Sequence, residues 1–143
     1  MTKTILDIMG TIFVVVGIAG FVSPDLGGTH LCAAHNVIHL VSGALALWFG
    51  LKGTPGSARA FSWAFGTVYG LLGVAGMVLG HPGTPMMHDM GTDPKLLTVI
   101  PNVLELGRND HILHIVLGIV FIAAALMARP APRTAAEAPP ARS

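Results

Sequence analysis

At 143 residues the chain has room for one small domain, yet 52% of it is hydrophobic and only 10% charged, against about a quarter charged in soluble domains. Eight Lys and Arg against seven Asp and Glu leave a net charge of +1, and with no basic patch nucleic acid is excluded as a partner. The single cysteine, Cys32, excludes an internal disulfide and any Cys-pair redox motif.

The charge deficit is concentrated in four apolar runs, about 5–22, 33–51, 60–80 and 110–127. At 1.5 Å per residue each is long enough to cross a hydrocarbon core of about 30 Å. The fold class this predicts is all-α: an integral membrane four-helix bundle with the lipid bilayer as its first partner. A transmembrane domain spans 1–128, with an outer loop at 81–109 and a Pro-, Ala- and Arg-rich tail at 129–143 that is expected to be a disordered cytoplasmic end.

The first run follows Lys3 and has the outline of a signal peptide, but Asp7 interrupts it and no Ala-x-Ala site follows. Self-comparison also argues for retention. Gly10-Thr11-Ile12-Phe13 followed by Gly17-Ile18-Ala19-Gly20 matches Gly66-Thr67-Val68-Tyr69 followed by Gly73-Val74-Ala75-Gly76, at a constant offset of 56 (66 − 10). The second run opens with Asn36-Val37-Ile38-His39 and carries Gly43. The fourth opens with His111-Ile112-Leu113-His114 and carries Gly118, at an offset of 75 (114 − 39). The chain therefore reads as two tandem duplicated helical hairpins, related by a pseudo-twofold axis along the membrane normal, with His39 and His114 in equivalent positions.

Basic residues set the orientation. Lys3, Lys52, Arg59, Arg129, Arg133 and Arg142 fall on one side, whereas the other holds Lys95 and Arg108 among Asp25, Asp89, Asp93, Glu105 and Asp110. Both termini are expected in the cytoplasm. All seven histidines then lie in or near the outer half. In the outer loop, Asp93-Pro94 reads as the N-cap and first turn of a short interfacial helix running to about Leu106.

A polar residue inside a span is a functional hypothesis by default, because leaving it unsatisfied in hydrocarbon is costly. The candidate site is a polar outer vestibule of His35, Asn36, His39, Asn109, Asp110, His111 and His114. Its bland reading is hydrogen bonding that ties the hairpins together. Its sharp reading is ligation: paired imidazoles in a four-helix bundle can hold a haem. A second cluster, His81, Met86, Met87, His88 and Met90, sets thioethers beside imidazoles, a donor set suited to copper. No Gly-rich phosphate loop, nucleophile elbow or intramembrane carboxylate pair occurs, and no enzymatic activity is expected.

The Asn36, His39, Gly43 pattern and its counterpart His111, His114, Gly118 resemble those of an uncharacterised family of four-span bacterial membrane proteins, a domain of unknown function. Its second and fourth spans open with Asn, a His three positions on and a Gly four further. This chain departs from the pattern by carrying His111 in place of Asn. The resemblance implies the fold and a bacterial inner membrane, and supplies no activity. It leaves the partner state open between a homo-oligomer and an accessory subunit of a larger membrane complex.

Overall fold

The computed structural model describes residues 1–87 and 91–127; the expected disordered tail, and His88 and Met90 of the loop cluster, lie outside them. Four helices, α1 (Thr2–Ala19), α2 (Ala33–Leu51), α3 (Pro55–Leu79) and α4 (Arg108–Leu126), are each long and apolar enough to cross a membrane. The protein is a multi-pass membrane protein. Outward-facing Val15, Ile18, Leu71, Val74 and Ile119 are all at least half exposed, as helices solvated by lipid require.

Local signals set the helix ends. Thr54 caps α3, its hydroxyl accepting from the Ser57 N–H at 3.1 Å, and Pro55 occupies the first helical position, where its missing N–H costs nothing. At the other end of the bundle, Asp110 reaches back to accept from the Gly107 N–H at 2.7 Å and closes the start of α4.

α1 packs mainly on α2, and α3 mainly on α4. The two hairpins are built alike in detail. A Cβ on Gly10 would lie 2.9 Å from the Gly43 carbonyl and 2.8 Å from the Leu47 side chain; a Cβ on Gly66 would lie 3.0 Å from the Gly118 carbonyl and 2.7 Å from the Ile122 side chain. Gly17 faces Leu40 as Gly73 faces Ile115, and Gly20 backs onto the Asn36 carboxamide as Gly76 backs onto the His111 imidazole. Every one of these contacts repeats at the 56- and 75-residue offsets of the sequence. Small residues let the backbones touch, which matters where lipid gives helices no hydrophobic drive to associate.

The hairpins meet along a core of Leu6, Phe13, Ala46, Ala58, Phe61, Tyr69 and Phe121. At the end of the bundle that holds the N-terminus the Thr2 hydroxyl donates to the Ala124 carbonyl at 2.7 Å, joining α1 to α4.

Outside the helices lies a three-stranded antiparallel sheet in the order β1-β2-β3: β1 (His81–Gly83), β2 (Asp93–Ile100) and β3 (Leu104–Leu106). The expected interfacial helix is therefore a β-hairpin. Asp93 does bind a nearby backbone N–H, but that of Lys95, at 2.7 Å; this is an Asx turn two residues on rather than a helix cap. The Leu96-Leu97-Thr98-Val99-Ile100 run that follows carries β-branched residues suited to a strand. Pairing of Thr98 with Glu105 and of Ile100 with Leu104 closes it.

Candidate functional site

Five rings close a circle at the centre of the bundle, with all four helices contributing. Phe13 of α1 lies 5.2 Å from His39 of α2, and His39 lies 4.6 Å from His35, one turn away. His35 stacks at 5.8 Å on His114 of α4, His114 at 5.3 Å on Tyr69 of α3, and Tyr69 returns to Phe13 at 5.4 Å. Two of these contacts, His35 with His114 and Phe13 with Tyr69, cross between the hairpins. The Phe13–Tyr69 pair is of a kind worth about 0.5–1.5 kcal/mol beyond burial. Phe121 lies beneath the circle, stacked at 6.2 Å on Phe13.

Polar contacts fix the orientation of the rings. His35 Nδ1 is 2.9 Å from the His30 carbonyl, and His39 Nε2 is 3.1 Å from His35 Nε2. A carbonyl only accepts, so the neutral His35 ring carries its proton on Nδ1 and offers a bare Nε2. His39 therefore donates from Nε2, and its own Nδ1 is left as a buried acceptor without a partner. His114 Nδ1 is likewise buried and unpartnered. The Tyr69 hydroxyl donates to Ser42 Oγ at 2.9 Å. Tyr69→Phe keeps the ring circle and removes this bond; we expect a loss of about 1 kcal/mol, read as a fall of a few degrees in the melting temperature of detergent-purified protein.

Above the circle the loops are fastened down by the remaining polar residues. Asp110, 2% exposed, accepts from the backbone N–H groups of His30 (3.0 Å) and Gly107 (2.7 Å). The His30 ring sits between the carboxylates of Asp93 and Asp110, at 3.7 and 4.0 Å. Asp93 also accepts from the Arg108 N–H at 3.1 Å. Gly107 has to be glycine because a Cβ there would run into the His30 ring and the Asp93 carboxylate. Asn36 donates to the Leu31 carbonyl at 3.0 Å, His111 Nε2 donates to the Lys95 carbonyl at 2.8 Å, and Asn109 donates to the Gly27 carbonyl at 3.1 Å.

The seven residues of the expected vestibule thus divide into two groups. His35, His39 and His114 enter the ring circle, whereas Asn36, Asn109, Asp110 and His111 pin the loops around residues 27–31 and 95–107 to the helix ends. They lie under the loops rather than open to solvent: all but Asn109 are buried. His111 and His114 share a helix but diverge, one to the β-hairpin and the other to the centre. The His35 ring stacks on both of the histidines that the duplication pairs, at 4.6 Å on His39 and 5.8 Å on His114. Among the described residues no group of three His, Cys, Asp or Glu side chains is placed to hold a metal ion. In the loop cluster, His81 is exposed at the start of β1, and the Met86 N–H donates to Glu105 at 2.8 Å.

Sequence reasoning did not single out His30, Asp93, Phe13 or Tyr69 for the site. For the last two a signal existed, since each stands three residues after the duplicated Gly10 and Gly66, on the same helical face.

Two clefts flank the circle along the seam between hairpins. The α1–α4 cleft, about 280 Å³, is lined by Ile12, Phe13 and Val16 with Leu31, Leu113 and the three central histidines. The α2–α3 cleft, about 260 Å³, is lined by Val68, Tyr69 and Leu72 with Leu106, Ile38, His35 and His114. Ile12 corresponds to Val68, Phe13 to Tyr69 and Val16 to Leu72 at the first offset; Leu31 corresponds to Leu106 and Ile38 to Leu113 at the second.

Residues 3–127 match the family described as a domain of unknown function (DUF4383). No curated protein and no solved structure matches the chain.

Proposed function

Because the chain belongs to the DUF4383 family, a domain of unknown function with no activity to carry over, we propose from its own site that it is a non-enzymatic membrane module. It is a tandem duplicate of one helical hairpin, held together at the outer end by buried imidazoles and by a carboxylate that ties down the loops. It works in a bacterial inner membrane as a small structural or accessory unit, alone, as a homo-oligomer or beside a larger complex. The observation that carries this reading is the closed five-ring circle, in which each histidine is already packed between neighbours. The repeating glycine contacts support the duplication.

A haem or metal role for the same histidines is the competing reading, and one preparation separates the two. We expect detergent-purified protein to be colourless in oxidised and reduced spectra, with iron, copper and zinc at background. His39→Ala and His114→Ala, each leaving a cavity in the core, should lower stability by about 2–4 kcal/mol. A Soret band that vanishes in His39→Ala, or melting unchanged in both variants, overturns the structural reading.

The charge distribution supports termini on the cytoplasmic side. Cys32, at the start of α2, should then react with a membrane-impermeant maleimide in intact cells. In a Cys32→Ser background, Ser57→Cys, in the first turn of α3, should react only after the membrane is opened. The reverse pattern would invert the topology.

A further inference from the structure

We propose that the tip of the β2–β3 hairpin, carrying Val99, Ile100 and Val103, is an interfacial anchor that seats in the headgroup–acyl boundary of the bilayer beside α2. The inference rests on reading the four helices as membrane spans, and it adds to them a lipid contact made by strands.

The tip has the wrong composition for water. From Leu96 to Leu104 the chain carries no charged residue, and residues 98–103 are all exposed. Val99, Ile100 and Val103 are 41%, 50% and 48% exposed, and Pro101 is exposed between them. A strand that turns one face to water alternates apolar with polar residues, and an apolar strand edge left in water is a site of aggregation. The opposite end of β2 is of the ordinary kind, with Thr92 exposed beside Asp93 and Lys95.

The fold brings the tip to the edge of the hydrocarbon. α2 has 19 residues and is about 28 Å long, close to the thickness of the hydrocarbon core, so its first residue, Ala33, marks one boundary. Cys32, the residue before it, donates from Sγ to the Val103 carbonyl at 3.3 Å. Leu104, next in the chain, lines the α2–α3 cleft together with Ile38 of the second turn of α2, and Ile38 is itself 43% exposed. The hairpin therefore lies against the flank of the bundle at the level of the first turns of α2, and its apolar tip continues the apolar surface of the span.

Backbone chemistry sets the depth. An open strand edge does not occur in the hydrocarbon itself, and among the described residues β2 beyond Leu96 is paired only with β3. The tip is closed tightly: the Val103 N–H donates to the Ile100 carbonyl at 3.0 Å, and Asn102, after Pro101, takes φ 58°, the pattern of a type II turn. The boundary region supplies water for the free edge and acyl carbon for the side chains, so the tip rests there and goes no deeper. With no Lys or Arg between Leu96 and Leu104, the contact is indifferent to headgroup charge, unlike an anchor held by a basic patch.

The test places a tryptophan on the tip of the full chain, with Trp48 and Trp63 replaced by Phe, in phosphatidylcholine vesicles whose acyl chains carry bromines near the glycerol end or near the methyl end. We expect Ile100→Trp to lose emission about twofold to bromines near the glycerol end, less to those near the methyl end, and little to acrylamide in the water. Val103→Trp should repeat this. Thr92→Trp should show the reverse, quenched by acrylamide and spared by bromine. Replacing part of the phosphatidylcholine by phosphatidylglycerol should change neither result. Acrylamide quenching of Ile100→Trp and Val103→Trp to the extent seen for Thr92→Trp overturns the proposal. Quenching by neither agent also overturns it, by showing the tip covered by protein, a second copy of this chain or another. So does bromine quenching that appears only with phosphatidylglycerol. Trp48, 63% exposed on α2 and kept as the only tryptophan, separates the premises. If bromine spares it, the spans themselves fail; if bromine quenches it while acrylamide quenches Ile100→Trp, the anchor falls and the spans stand.

Discussion

Asp110→Ala should be the most damaging single substitution in the chain, costing about 3–5 kcal/mol and leaving little folded protein in detergent. The carboxylate is buried and accepts two backbone N–H groups, one from its own helix start at Gly107 and one from His30 across the bundle. Removing it leaves both donors unpaired in a site that water does not reach, and takes away one of the two carboxylates beside the His30 ring. The loss would spread inward, because the His30 carbonyl fixes the tautomer of His35 and His35 sets the hydrogen bond of His39. Asp110→Asn, which keeps an acceptor oxygen of the same shape, should recover part of the stability. Asp25→Ala, on the exposed loop, should change nothing measurable. Thermal melting of the three purified variants, followed by circular dichroism, checks this. Equal melting of Asp110→Ala and Asp25→Ala would show that the loops are not held by this carboxylate.

The second large effect is expected at the glycine contacts, and its symmetry is the informative part. A Cβ at Gly43 would stand 2.8 Å from the Gly10 carbonyl and 3.0 Å from the Val14 nitrogen; at Gly118 it would stand 2.9 Å from the Gly66 carbonyl and 2.6 Å from the Gly70 Cα. Backbone atoms lie on both sides, so no side chain can move aside, and the helices of the hairpin must separate. Gly43→Val and Gly118→Val should each lose at least the 1–3 kcal/mol typical of overpacking, by similar amounts. Gly70→Ala, whose Cβ would find its nearest neighbour at 3.8 Å, should be tolerated. A large inequality between the first two would mean that the hairpins, though alike in sequence, carry different loads.

Much of this architecture is legible in the sequence because it depends on local spacing. Hydropathy marks the four helices, and the recurrence of Gly10 at Gly66 and of His39 at His114 marks the matched faces, since residues three or four apart on a helix share a side. What stays hidden depends on where the long connecting loops land. Asp93 and His30 are 63 residues apart (93 − 30) and meet only when the β-hairpin folds over the start of α4. The same Asp93 looks like a helix cap in isolation, and only the strand pairing behind it reveals a turn. His35 offers no repeat to flag it, because the residue 75 positions on is Asp110. Its place in the ring circle follows from the stack of His35 on His114 of a distant helix, which spacing along one helix does not disclose.

That mismatch between His35 and Asp110 bears on how such a molecule could arise. Two separate, identical hairpins pairing about a twofold axis would bring two copies of the same residue to these places. Two carboxylates would repel each other in a buried site, and two imidazoles would leave the loop N–H groups of His30 and Gly107 without an acceptor. Joining the copies in one polypeptide lifts the constraint that both halves be the same. One half is then free to give its side chain to the centre while the other fastens the lid, a division of labour that a symmetric dimer of single hairpins cannot reach by any one substitution.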